Sequence, residues 1–426
     1  MVIIVKGRSL LTDKKPTPER LSTPPATPIS RPVVSRARSQ RSIANDTLIL
    51  NAALQVANQS GLEALSLSVV ATHAGLTTGA LYSRYEDNDD LQASLYLDRI
   101  ESPFFEFLDT ALQEFLTGEG NIALNDLLQS GSVVPPEIIL GLEALIISHR
   151  NGALEEVVSP IMNQWLTRWG LVSESTDIDI ARVTVALGTI LGILLHKFAE
   201  IEFVNWRLPI LGLSRAVHDA KPSFTPLPRF EFIDFRAASD NEIRNVLATA
   251  AAEIIGKIGY SSATISRIAR RSNLSTGTIY NTYESKEDLL VDALSMLLHL
   301  SRQETLDHET RSLESNKLVD GFSAQFAAGQ LPTRHKWQRF RHEAFLASRI
   351  NPRVRGVIAE VHLAEITAAR KTFPSDKFPP EILDGIVLGG QAVSLGYTLI
   401  LNSCEQSRRG DYLGITEALA VVTNSF

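Results

Sequence analysis

The sequence predicts an all-α protein built as two tandem units, each a three-helix head followed by a larger helical domain. Three observations lead there. The two halves repeat each other at an offset of 198 residues, so that Gly61 meets Gly259. Apolar residues recur at steps of three and four through most of the chain, the period of one helix face. No convincing run of alternating apolar and polar residues marks a strand.

A chain of 426 residues has room for roughly two to four domains, and 44% hydrophobic with 21% charged residues is ordinary for a globular protein. The single cysteine, Cys404, excludes an intramolecular disulfide and argues against cysteine-ligated zinc. A reducing, cytoplasmic setting is expected. The apolar start Val2–Val5 is too short for a signal-peptide core, and the longest uncharged apolar run, Val183–Leu195, is 13 residues and short of a membrane span. No membrane partner is expected.

Taking the elements in order, residues 1–44 hold six of the 19 prolines and read as a disordered arm. The arm carries nine Lys/Arg against Asp13 and Glu19, hence +7, while the chain as a whole is −7 and the remainder −14. Such an arm can drape over phosphates or simply be a solvated tail. The first head, 45–95, opens with Leu48, Ile49, Ala52, Ala53 and Val56 on one helix face and stops at Gly61. A helical domain follows over 96–220. Residues 221–240, with Pro222, Pro226 and Pro228, read as a linker. The second head, 241–292, repeats the first with Ile243, Val246, Leu247, Ala250, Ala251, Ile254 and Ile258, and a second helical domain fills 293–426.

The repeat is sharpest over 61–91 against 259–289, where eleven of 31 positions are identical. A later echo, at an offset of 200, matches Glu143-Ala144, Ser148 and Asn151 with Glu343-Ala344, Ser348 and Asn351, so whole units are duplicated. Within the sharp part, Ser66 or Thr264 caps a short helix whose Leu67-Val70-Ala71 or Ile265-Ile268-Ala269 face inward. A tight turn follows at Gly75 or Asn273, residues that tolerate the left-handed conformation. Thr77 or Ser275 then caps a second short helix, 78–83 or 276–281. This is a helix-turn-helix.

A helix fits the DNA major groove and offers amides and hydroxyls at its N-terminal end to phosphates and base edges. Candidate DNA-contacting residues are Ser66, Thr77, Thr78, Gly79, Ala80, Tyr82, Ser83 and Tyr85 in the first head. In the second they are Thr264, Arg267, Arg270, Ser275, Thr276, Gly277, Thr278, Tyr280, Asn281, Tyr283 and Lys286. Gly79 and Gly277 stand where bulk holds a helix off the duplex. Tyr82 and Tyr280 can pack a ring and reach phosphate, whereas Tyr85 and Tyr283 fit a core role equally well.

These residues resemble the DNA-binding signature of the tetracycline-repressor (TetR) family of bacterial regulators. The second head shows Thr264, Ile268-Ala269, Ser275-Thr276-Gly277-Thr278-Ile279-Tyr280, Tyr283 and Ser285-Lys286-Glu287-Asp288-Leu289, departing mildly at Asn273, Ile279 and Tyr283. The first shows Val70-Ala71, Gly75, Thr77-Thr78-Gly79-Ala80-Leu81-Tyr82, Tyr85 and Asp87-Asn88-Asp89-Asp90-Leu91, with Asn88 in place of the family's lysine. The resemblance spans about 45 residues per half. It implies a regulator of transcription that binds double-stranded DNA, responds to a small-molecule effector and pairs two heads across a dimer.

The heads differ in charge. The second has Arg267, Arg270, Arg271 and Lys286 against Glu284, and the first has Arg84 and His73 against Glu86 and Asp87, so the second is expected to contribute more affinity. The family's homodimers place two such helices roughly 34–36 Å apart, and here one chain holds both. The expected form is a monomeric pseudo-dimer on an operator with two dissimilar half-sites; a four-headed homodimer is the rival. The linker of about 20 residues extends to roughly 65 Å, enough to cross a helical domain. The segments Val183–Leu195 and Ile386–Leu401, the latter carrying Gly389, Gly390 and Gly396, fit either a pseudo-dimer interface or ordinary core. Trp165, Trp169, Phe198, Trp337, Phe340 and Phe345 are candidates to line an effector pocket or to fill core. No phosphate-binding Gly loop, metal-binding cluster or nucleophile motif stands out, and no cofactor or catalytic residue is expected. The alternative function is a protein-interaction module whose heads no longer bind DNA.

Overall fold

The repeat seen in the sequence becomes two copies of one helix order. In a computed structural model the first copy runs α1 (Gln40–Ser60), α2 (Leu67–Ala74), α3 (Thr78–Tyr82), α4 (Asn88–Leu95), α5 (Glu101–Phe115), α6 (Ile122–Leu128), α7 (Pro136–Ile147), α8 (Gly152–Arg168), α9 (Asp177–Phe198) and α10 (Arg207–Asp219). The second runs α11 (Glu242–Ile258), α12 (Ile265–Ser272), α13 (Thr276–Thr282), α14 (Lys286–Glu314), α15 (Leu318–Gln330), α16 (His335–Ser348), α17 (Pro352–Thr372), α18 (Pro380–Ser403) and α19 (Tyr412–Thr423). The single α14 answers α4 and α5, which a π-turn at Tyr96–Ile100 joins into one rod. The protein is all-α, with no strand among the described residues.

The structure describes residues 40–129, 132–200, 205–223, 225–230, 232, 237, 239–314, 318–373 and 379–425. Of the basic arm expected over 1–44, residues 1–39 lie outside these, and 40–44 already belong to α1. Positions 224, 231, 233–236 and 238 of the expected linker also lie outside.

The later echo between the halves has a local cause. Asn151 Oδ1 accepts from the Leu154 amide (3.0 Å) and Asn351 Oδ1 from the Val354 amide (3.2 Å), capping α8 and α17. Their side-chain amides tie those helices to the rods leaving the heads, through Gln92 Oε1 (2.8 Å) and Glu287 Oε1 (2.7 Å). Ser148 and Ser348 bond back to the carbonyls of Leu145 and Phe345.

All these helices lie in one compact unit, Ser39–Phe426, joined by a seam in which α9 packs along α18 and α10 on α19. The seam is close because the crossing is bare. A Cβ on Gly192 would collide with the Ala392 carbonyl, one on Gly396 with the Gly188 carbonyl, and one on Gly188 would sit 2.8 Å from the Tyr397 nitrogen. Of the three glycines singled out in Ile386–Leu401, Gly396 alone lies at this crossing. Gly389 faces Pro209 and Leu213 of α10, and Gly390 faces Gln325 of α15, because a turn of 100° per residue carries them around the helix. Helices α9 and α18 are long and apolar enough to cross a membrane, and 89% and 61% of their apolar windows are buried inside the protein.

Candidate nucleic-acid interface

Both heads are built by the same local chemistry. Ser66 Oγ accepts from the Val69 amide at the start of α2 (3.3 Å), and Thr264 Oγ1 from the Arg267 amide at the start of α12 (3.4 Å). The chain then turns through left-handed Gly75 (φ 65°) or Asn273 (φ 56°). Ser275 Oγ caps α13 through the Thr278 amide at 3.0 Å. Thr77 stands at the matching place but makes no capping bond, contrary to expectation, and α3 is five residues long where α13 is seven.

The outer faces of α3 and α13 expose Thr78, Gly79, Tyr82 and Ser83, and Thr276, Gly277, Tyr280 and Asn281; Thr77 and Ser275 are exposed beside them, while Ala80 and Thr278 are half-buried. Tyr82 is 62% and Tyr280 59% exposed. The two glycines have ordinary helical backbones. A Cβ would meet nothing within 4 Å at Gly79 and only Ser275 Oγ, at 3.5 Å, at Gly277. Glycine inside a helix costs about 1 kcal/mol relative to alanine. Nothing among the described residues accounts for that cost at either site, and the bare positions leave a surface that an outside partner can approach to backbone contact.

Tyr85 and Tyr283 turn the other way. Tyr85 is buried, which pushes its hydroxyl up to about 12, and the Tyr283 hydroxyl donates to Asp292 at 2.6 Å. Both rings therefore belong to the packing behind the face.

The cations are distributed unequally. Arg84 is spent within the first head: Nε donates to Asp46 (2.6 Å) and Nη1 to the Ala80 carbonyl (2.8 Å). His73 is exposed. In the second head Arg271 pairs with Glu253, Arg267 Nη1 donates to the Ser262 carbonyl (3.0 Å), and Lys286 Nζ to the Ser261 carbonyl (3.2 Å). Partial burial holds the Lys286 ammonium below its usual range. Arg270 is exposed and makes no ion pair among the described residues.

The heads touch at equivalent positions: Ser261 Oγ donates to Glu63 Oε2 at 3.4 Å, and Arg150 holds the same carboxylate with two bonds of 2.9 Å. Behind this contact lie two buried ion pairs that the sequence reading missed. Glu143 of α7 accepts from the Leu62 amide (2.7 Å) and from Arg349 of the other repeat (2.9 Å). Arg349 also donates to the Ala57 and Asn58 carbonyls at the end of α1. Glu343 of α16 pairs with Arg150 of the first repeat. Burial pushes the Glu143 carboxyl up, while Arg349 and the Leu62 amide pull it back. The matched glutamates were visible at an offset of 200; their partners were not, because Arg150 and Arg349 occupy non-equivalent positions.

The six candidate pocket aromatics do not converge. Trp165 and Trp169 both donate to Asp109 Oδ1, at 2.8 and 2.7 Å, and Trp165 packs against both Trp169 and Phe105. Phe345 packs against His196, whose Nε2 lies 3.0 Å from that of His362. Phe198 and Phe340 are buried core, and Trp337 lines a polar cavity in the second repeat. No cluster of three His, Cys, Asp or Glu suited to a metal forms among the described residues.

A family model described as bacterial regulatory proteins, tetR family, matches residues 49–95 and again 247–293. Both matches begin in the first helix of a head and run past the exposed helix into the rod beyond. No curated protein matches the chain. Domains of this type bind double-stranded DNA. The same signature falls on both heads, so the chain carries the N-terminal, DNA-binding domain of the tetR family of bacterial regulators in tandem duplicate.

Proposed function

We propose that this regulator acts as a single-chain pseudo-dimer, laying α3 and α13 into DNA at two dissimilar half-sites of one operator and releasing it when a small effector binds the helical body. The observation that carries the reading is the α9–α18 crossing, where the two repeats meet backbone to backbone within one chain. A separate protomer is not needed to bury these helices. Covalent linkage holds the second head at an effective concentration on the order of millimolar.

DNA contact is assigned to Thr78, Gly79, Tyr82 and Ser83, and to Thr276, Gly277, Tyr280 and Asn281, with Arg270 as the phosphate-facing cation of the second head. Dissimilar half-sites follow from the side chains themselves: Ala80 against Thr278 and Ser83 against Asn281 at matching positions. Selection of bound duplexes from a random pool, read by sequencing, tests this. The expected motif has two unlike halves, the more sharply defined one lost on Thr276→Ala. A palindromic motif, or none at low salt, contradicts it.

A further inference from the structure

We infer that the effector site is built around Arg341 of the second repeat, closed on its apolar side by α10 of the first, and takes an organic anion with an apolar body whose charged group pairs with Arg341. This deepens the ligand-responsive reading above and rests on it.

Arg341, on α16, is 7% exposed. Its contacts are neutral: Nη1 donates to Ser394 Oγ and Nη2 to Gln391 Oε1, each at 3.2 Å. Its Nε is buried without a partner among the described residues, as is Oε1 of the neighbouring Gln338. Of the nearby carboxylates, Glu365 attracts Arg341 without forming a salt bridge to it and is linked to it through Gln391. Glu304 is bridged to Arg334 at 2.5 Å, and Glu365 accepts from Gln391 at 2.8 Å. A buried guanidinium with no carboxylate in contact among the described residues is costly, and its planar fork matches a carboxylate bidentately. Burial lowers the Arg341 pKa to about 10, so the group stays charged at neutral pH. Arg341, Gln338 and Trp337 line one polar cavity.

A second, apolar cavity adjoins it, between α10, α15, α18 and α19, and Gln325 lines both. Leu213, Ile386, Val393 and Leu419 form apolar wall, and Gly385, Gly389 and Gly390 leave one side of it bare. The Gln325 amide makes no hydrogen bond among the described residues and fills the space beside Gly390, where a Cβ would come within 2.9 Å of its Nε2. An amide so placed can swing aside for a chain threading from the apolar space to the arginine.

The first repeat has no counterpart. At an offset of 200, Gly141 replaces Arg341, Ile138 replaces Gln338, and Trp165 replaces Glu365. A Cβ at Gly141 would strike the Phe104 ring, and Phe104, Phe105 and Trp165 pack in series at centroid distances of 5.4 and 5.5 Å. Aromatic rings occupy the room that the second repeat leaves to a ligand.

Calorimetric titration of the full chain with octanoate and with 1-octanol tests the site without DNA. Octanoate is expected to bind more tightly by on the order of tenfold or more, the worth of a charge-assisted bond. Arg341→Met is expected to remove that preference, with Arg341→Lys, which keeps the charge, retaining part of it, and a melting curve of each variant shows that it is folded. Gly390→Leu, which fills the apolar side, is expected to abolish binding of both. Equal affinities for acid and alcohol, a preference that survives Arg341→Met, or no binding at all overturns the assignment. A gel shift with octanoate then separates the two readings: binding without release of DNA upholds the site and removes the regulatory role proposed above.

Discussion

Gly396 lies so close to the main chain of Gly188 that a methyl group on it would collide with the Gly188 carbonyl oxygen. The obstacle is backbone, which a rotamer change cannot move aside. Gly396→Val is therefore expected to destabilise the chain by about 3 kcal/mol or more in chemical denaturation, the upper end for overpacked cores. Gly356→Ala, where a Cβ meets nothing within 4 Å, serves as the control and is expected to be neutral or stabilising.

Gly79 and Gly277 give the opposite pairing of effects. Alanine at each is expected to raise stability by roughly 0.5–1 kcal/mol, because the helix gains propensity and no neighbour objects. The same substitutions are expected to weaken DNA binding, since the added methyl groups stand on the exposed face. Denaturation and gel-shift measurements on the two single variants check this, and unchanged DNA affinity removes these glycines from the interface.

Arg349 belongs to the second repeat but closes the first head, bonding Glu143 at 2.9 Å and the last carbonyls of α1. Arg349→Met leaves a buried carboxylate uncompensated, and a loss of about 3–5 kcal/mol is expected. Removing the arginine takes away the principal influence holding the Glu143 carboxyl down and leaves burial, which pushes it up. The folded variant therefore prefers the protonated acid, and its deficit shrinks as pH falls. Adding Glu143→Gln is expected to recover most of the loss at pH 7, measured by urea denaturation.

His342 is buried, and its Nε2 lies 2.8 Å from the Leu395 carbonyl. Burial lowers its pKa from 6.5 to about 4. The unfolded chain takes up this proton first, so the stability the neutral ring contributes is present above pH 6.5 and lost as pH falls toward 4. Between pH 7 and pH 5 the parent is expected to lose about 2 kcal/mol more than His342→Gln, which retains a donor but cannot titrate.

Salt dependence distinguishes the heads. Arg270 is exposed and makes no ion pair among the described residues, whereas Arg84 is held by Asp46 and by the carbonyl of Ala80. Arg270→Ala is expected to lower the slope of log affinity against log salt by about 0.9, the value for one phosphate contact. Arg84→Ala is expected to leave the slope unchanged and to act through stability of the first head. Equal slope changes would refute the ranking.

Much of this was legible in sequence because it is local. Ser66, Thr264 and Ser275 announce helix starts, Gly75 and Asn273 announce the turn, and the 198-residue offset doubles every such signal. Thr77 shows the limit of a local rule, since a capping residue type in a capping position makes no capping bond. Contacts between the repeats were legible only as segments, Val183–Leu195 and Ile386–Leu401, and not residue by residue. Helical spacing places Gly389, Gly390 and Gly396 within one apolar segment, yet only packing decides that Gly396 meets α9 while the other two face α10 and α15. Arg341 carried no motif at all. A lone arginine among helical residues reads as surface charge until the fold buries it beside a cavity.

Native mass spectrometry of the intact chain on a duplex carrying both selected half-sites is the most direct test of the coupled pair of heads. One chain per duplex is expected, with that stoichiometry kept when either half-site is scrambled and only the affinity reduced. Two chains on each duplex, with no one-chain species at any ratio, would contradict a single-chain pseudo-dimer and point to a four-headed homodimer.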